Sequence, residues 1–169
     1  MCATDGSAGG WCGIVISCRS GKATVFAGHW PEDIRDFVGH SCNSEPLALL
    51  AAATTFFRPG TSARVLHVTD NTGTRHTVAK GWTSTSGQFV MEALSVRYPS
   101  IVWESLYYPG ASIPTDEPSR GLALDESKLR AMCTSLGIDL RCIRDLTHDP
   151  IPFDQPNEYH NLSPTDVES

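Results

Sequence analysis

Several things are missing from this chain. No apolar run approaches the roughly 20 residues that cross a bilayer, so no membrane partner is expected. The opening MCATDGSAGGW has no basic segment followed by an apolar one. No secretory signal is therefore expected, and the setting reads as intracellular, cytoplasm or nucleus. These first residues already read as structure, as in a domain excised from a longer chain. The six cysteines (Cys2, Cys12, Cys18, Cys42, Cys133 and Cys142) form no CxxC pair, and none stands beside a histidine at zinc-finger spacing. They are expected as reduced, buried thiols packed as small hydrophobes. No internal repeat is apparent. Positive charge is scarce, with 13 Lys and Arg against 19 Asp and Glu and a net charge of −6. That counts mildly against a nucleic-acid binder.

The distribution of charge softens that point. Residues 1–121 hold 9 basic and 10 acidic side chains, whereas residues 122–169 hold 4 and 9. The acidity lies mostly in the C-terminal part. If a few acids of the first part carried cations, the rest of that body would be slightly positive.

What is present is a chain of 169 residues, 40% apolar, enough for one domain with a real core. Residues 2–8, 10–18 and 22–30 have the small and β-branched content of three strands, separated by Gly-rich and Ser-Gly turns. Residues 31–43 read as a loop. PLALLAAATTFF, 46–57, is apolar nearly all round and reads as a buried helix, with Pro46 in its first turn. ARVLHVTD, 63–70, reads as a strand covered on both faces. A short helix follows, then a helix over 86–98 with Phe89, Val90, Leu94 and Val96 at helical spacing, then a strand over 100–108. This order implies an α/β fold, a mixed sheet with helices on its faces. Residues 122–144 read as a helical extension with Asp125 at the helix start. Residues 145–169, acidic and proline-rich, read as extended or disordered.

Four acids share a setting at element ends. Asp5 closes the first strand in TDGS, and Glu45 opens the buried helix in CNSEPLALL. Asp70 ends the fourth strand in VTDNTG, and Asp116 follows the fifth in IPTDEPSRG. Asp5 and Asp70 stand side by side if their strands are parallel neighbours. Each alone is more often a cap or turn residue, but four gathered carboxylates repel one another unless cations sit among them. Hard oxygen ligands suit Mg²⁺ or Mn²⁺. Two such ions roughly 4 Å apart can activate a water and stabilise a leaving oxygen in phosphodiester cleavage.

TDGSAGGWCG, SCNSEPLALLAA, VTDNTGTRHTVAKGW and YPGASIPTDEPSRG, in this order over residues 2–121, resemble the ribonuclease H family. The last segment resembles the ribonuclease H domain attached to reverse transcriptases of hepadnaviruses and related retroelements. The resemblance implies a ribonuclease H-like fold with a five-stranded mixed sheet. It implies an endonuclease that hydrolyses the RNA strand of RNA–DNA hybrids with two Mg²⁺ ions, Mn²⁺ substituting. Asp5, Glu45, Asp70 and Asp116 are then the metal ligands and catalytic residues. Asn43, Ser44 and Asn71 fall where the family meets the hybrid's sugars and bases, and Arg75, Lys80 and Arg120 become phosphate contacts. Trp82 divides between core packing and flanking the groove, and Arg120 between a phosphate contact and a surface ion pair with Glu117.

There are departures from the family pattern. The loop PGASIPT lacks the histidine many members carry before the last Asp. KGWTSTSG is too short for the basic, Trp-containing element that grips the hybrid in many cellular members. Weak intrinsic affinity is therefore expected, with binding supplied by a reverse transcriptase polymerase domain or other subunits. Two other readings stay open: a non-catalytic ribonuclease H-like scaffold in a larger nucleoprotein complex, and another polynucleotidyl transferase of the same fold.

Overall fold

Short runs of small and β-branched residues open the chain as an antiparallel meander. Its strands are Cys2–Gly6 (β1), Gly10–Ile16 (β2) and Lys22–His29 (β3), with Asp5 opposite Cys12 and Gly13 opposite Phe26. The computed structural model describes residues 1–80 and 84–153. Trp82 and residues 154–169 lie outside the described residues. After β3 come a short helix Arg35–Val38 (α1) and the long helix Ser41–Phe56 (α2). The strand Ala63–Thr69 (β4) follows, then helices Thr72–Lys80 (α3) and Thr85–Arg97 (α4), and the strand Ile101–Tyr107 (β5). A four-residue helix, Asp116–Ser119 (α5), and the helix Glu126–Ser135 (α6) precede two short strands, Cys142–Asp145 (β6) and Ile151–Pro152 (β7).

The sheet order is β5-β4-β1-β2-β3-β6, with β7 also on β3, seven strands among the described residues. β4 runs parallel to β1, pairing Cys2 with His67 and Ala3 with Val68, and β5 runs parallel to β4. The mixed α/β sheet is as expected, but five strands were too few. Both β6 and β7 pair in parallel with β3. They cover an edge that would otherwise present unpaired N–H and C=O groups. The sequence hid them because CIRD is half-polar and the pairing at Ile151 is only two residues long. Residues 145–153 are therefore not a detached tail: Ile151 is buried, and the Phe153 ring packs edge-on against Trp30.

Alternation along β2 divides the core. Trp11 and Val15 point to one face, where they meet α2 and α4 residues such as Ala52, Phe56, Val90 and Leu94. Cys12, Ile14 and Ile16 point to the other, where they meet Leu129, Met132 and Cys133 of α6. Helices thus cover both faces, and α6 belongs to the domain core. On α4 the buried positions are Ser86, Gly87, Val90 and Leu94, whereas Phe89 and Val96 are exposed. The six cysteines are free thiols, but only Cys2, Cys12 and Cys133 are buried; Cys18, Cys42 and Cys142 are exposed.

α2 begins five residues earlier than Pro46, so the proline sits inside the helix. Proline has no N–H to give the carbonyl four residues back, which here is Cys42. The Ser86 hydroxyl, from the first turn of α4, lies 3.0 Å from that oxygen and fills the gap. An early start is thereby compatible with Pro46, and residues 41–43 are helical where a loop was expected.

Candidate metal centre

Three acids converge where β1 and β4 end and α2 begins. Asp5 is on β1, Asp70 follows β4 directly, and Glu45 is on α2; one oxygen of each lies within 4.8 Å of the others. The parallel pairing of β1 and β4 puts the two aspartates side by side, as their positions at strand ends suggested. Glu45 arrives because α2 packs tightly on Gly6. A Cβ on Gly6 would stand 2.4 Å from the Ser44 carbonyl oxygen, so the helix reaches this position only over a glycine. Ser44 completes the join by donating its hydroxyl to the Gly6 carbonyl at 3.1 Å. The Gly6 backbone also acts on the Glu45 carboxyl, favouring its charged form.

Glu45 is only 4% exposed, and its Oε2 has no hydrogen-bond partner. Burial first, then the charge and hydrogen bond of Asp5 and the charge of Asp70, push its pKa up to about 10. Asp70 is raised as well, by burial and by the charges of Asp5 and Asp116. A buried carboxyl with an orphaned oxygen between two other carboxylates is costly as an anion without a cation nearby. All donors are hard oxygens, which fit Mg²⁺ or Mn²⁺ and suit soft metals poorly. The residues present therefore fit the ions that the motifs suggested.

Asp116 is not in this group of three. It lies at the start of α5, near enough for its charge to act on Asp70, but its Oδ1 is paired at 2.9 Å with Nη2 of Arg120. The ion pair expected for Arg120, if any, was with Glu117; Glu117 is instead bound by Lys128.

The reading of the sequence missed Ser119. Its buried hydroxyl lies 2.5 Å from Asp5 Oδ2, and its carbonyl accepts from Ser7 at 2.7 Å. The PSRG segment that contains it was visible as a motif, but nothing local shows that its serine faces Asp5 across the fold. Gly110 is a second such residue, since a Cβ there would meet Asp70 Oδ2 at 2.5 Å.

The polar side chains expected at the hybrid divide into two groups. Asn71 caps α3 by accepting from the Thr74 N–H at 2.8 Å, and Ser44 is occupied with Gly6. Asn43 donates to the Phe37 carbonyl at 2.8 Å and lies beside Ser86 at 3.0 Å. These three serve the fold locally. Arg75 and Lys80 are exposed on α3, and the Arg120 side chain is 61% exposed.

No family model matches this chain. Comparison with curated proteins gives no match either. The functional reading therefore rests on the motifs and on the geometry just described. Among the described residues no helix is long and apolar enough to cross a membrane.

Proposed function

We propose that this chain is a metal-dependent ribonuclease H, cutting the RNA strand of RNA–DNA hybrids as part of a retroelement-type reverse transcriptase. The observation that carries this reading is the meeting of Asp5, Glu45 and Asp70 within 4.8 Å, brought from three separate elements. A fold gains no stability from packing three acids together, so the cluster makes physical sense as a ligand set. When bound, a pair of divalent ions activates a water and stabilises the leaving oxygen. The chain's own residues do the holding. Asp5 is oriented by the Ser119 hydroxyl, and Glu45 is seated by the close packing of α2 on Gly6. Asp70 follows a buried strand, and Asp116 supplies a fourth carboxylate beside it. Arg75, Lys80 and Arg120 are the cations available to the substrate's phosphates, and a polymerase domain or other subunits supply the remaining affinity.

The test is cleavage of an end-labelled RNA–DNA hybrid, with double-stranded RNA and DNA as controls, in excess protein, Mn²⁺ and low salt. The RNA strand of the hybrid alone should be cut. Asp5→Asn, Glu45→Gln, Asp70→Asn and Asp116→Asn should each lose orders of magnitude in rate. Asp125→Asn should keep full activity, because Asp125 caps α6 and asparagine caps about as well. Equal cleavage of duplex DNA would point to another polynucleotidyl transferase. Intact metal binding without cleavage of any substrate would point to a scaffold.

A further inference from the structure

The pair formed by Asp116 and Arg120 has a consequence for how the metal centre assembles. Asp116 is the one motif carboxylate outside the group of three, and it is also the one held by a guanidinium, at 2.9 Å. Arg120 stands at the C-terminal end of α5 and lines a groove of about 480 Å³ beside Gly6, Ser7, Ala8, Gly9 and Ser44. That groove lies against the β1 end that carries Asp5, and Gly6, Ala8 and Gly9 place little bulk in it. A phosphate there could approach the backbone closely.

We infer that Arg120 is a positioning residue: it withholds Asp116 from the metal cluster until a substrate phosphate takes its guanidinium. The inference rests on the metal-centre reading above. Arginine stays charged and presents a planar fork that fits carboxylate and phosphate oxygens alike. A phosphodiester therefore competes for the same donors that hold Asp116. The Arg120 side of the pair is 61% exposed, whereas Asp116 is only 25% exposed, so the guanidinium is the partner that solvent or a phosphate reaches. Asp116 lies on the same side of the fold as Asp70, whose pKa its charge raises. Substrate binding and completion of the ligand set are thereby linked, and by reciprocity each favours the other.

A double-mutant cycle separates this latch from simple charge. Mn²⁺ affinity is measured without nucleic acid for the wild type, Arg120→Gln, Asp116→Asn and the double variant. If Arg120 acts through Asp116, Arg120→Gln tightens Mn²⁺ binding about tenfold, and the gain disappears in the Asp116→Asn background. An equal gain in both backgrounds would mean that Arg120 acts only by its charge, and would overturn the latch; no gain in either would overturn it too. The same four proteins are then titrated with a fluorescent RNA–DNA hybrid in EDTA. Asp116→Asn frees the guanidinium and should tighten hybrid binding only where Arg120 is present. A gain that persists in the double variant would remove the phosphate half of the inference. If none of the four binds Mn²⁺, the metal-centre reading itself falls and takes the latch with it, an outcome distinct from binding without coupling.

Discussion

The Ser86 hydroxyl reaches the carbonyl oxygen of Cys42 at 3.0 Å, at the one place in α2 where Pro46 provides no N–H. A side chain on α4 thus supports the first turn of the helix that carries Glu45. Ser86→Ala should cost about 0.5–1.5 kcal/mol, the net range for one intramolecular hydrogen bond, since the bond is only part-buried. It should also weaken Mn²⁺ binding, since Glu45 is in the turn that loosens. Pro46→Ala restores a donor to the same carbonyl, so the double variant should recover part of the loss. Chemical denaturation of the three variants checks this; additive losses would contradict the relationship.

The pH dependence of metal-free stability follows from two buried groups with opposite signs. Glu45 has its pKa raised to about 10, so its contribution is full below the ordinary 4.5 and is lost as pH rises toward 10. His67 is buried, hydrogen-bonded through Nε2 to Thr4 Oγ1 at 2.7 Å, and its pKa is lowered by burial to about 3. The unfolded chain then binds the proton that the native state refuses, so stability is lost as pH falls from 6.5 toward 3. Between 4.5 and 6.5 the two slopes oppose each other. Urea denaturation in EDTA should show a plateau there, with losses on both sides of up to about 1.4 kcal/mol per pH unit from each group. Glu45→Gln should flatten the alkaline limb and His67→Gln the acid limb. Unchanged limbs in these variants would assign the slopes to other groups.

Mn²⁺ should raise the thermal midpoint, because a ligand that binds only the folded state stabilises it by mass action. The rise should grow with pH over the range where Glu45 is costly as an anion. An equal ionic strength of Na⁺ should not reproduce it. Asp70→Asn should hold or raise the midpoint in EDTA, by relieving repulsion with Asp5, and reduce the Mn²⁺ effect. Equal midpoints in Mn²⁺ and Na⁺ would remove the metal centre.

Ending the chain after Arg144 should destabilise the domain rather than leave it intact. That cut removes the buried Ile151, the Phe153 ring from Trp30, and the Leu146 N–H bond to the Val25 carbonyl. Loss of the Ile151 side chain alone is expected to cost about 2–5 kcal/mol. A chain ending at Phe153 should keep β6 and β7, as read by amide exchange on β3. Equal stability of the two truncations would place residues 145–153 outside the domain core.

Much of this protein was determined by its sequence alone. The meander, the buried helix and the two parallel strands follow from runs of apolar and β-branched residues, because such runs are stable only in a covered sheet or a buried helix. The candidate acids were legible for the same reason: an acid that ends an apolar run must lie at the end of an element. The tertiary structure decided which of those ends meet. Asp5, Glu45 and Asp70 come together through parallel pairing of β1 with β4 and through the bare Cα of Gly6, neither of which a local pattern records. Ser119 facing Asp5, Ser86 standing in for the Pro46 N–H, and Arg120 holding Asp116 were likewise beyond local reading. So were β6 and β7, whose few residues carry no apolar run and become strands only because β3 offers them an open edge. Short segments and single polar side chains take their structure from distant partners, and only the folded chain brings those partners within hydrogen-bonding reach.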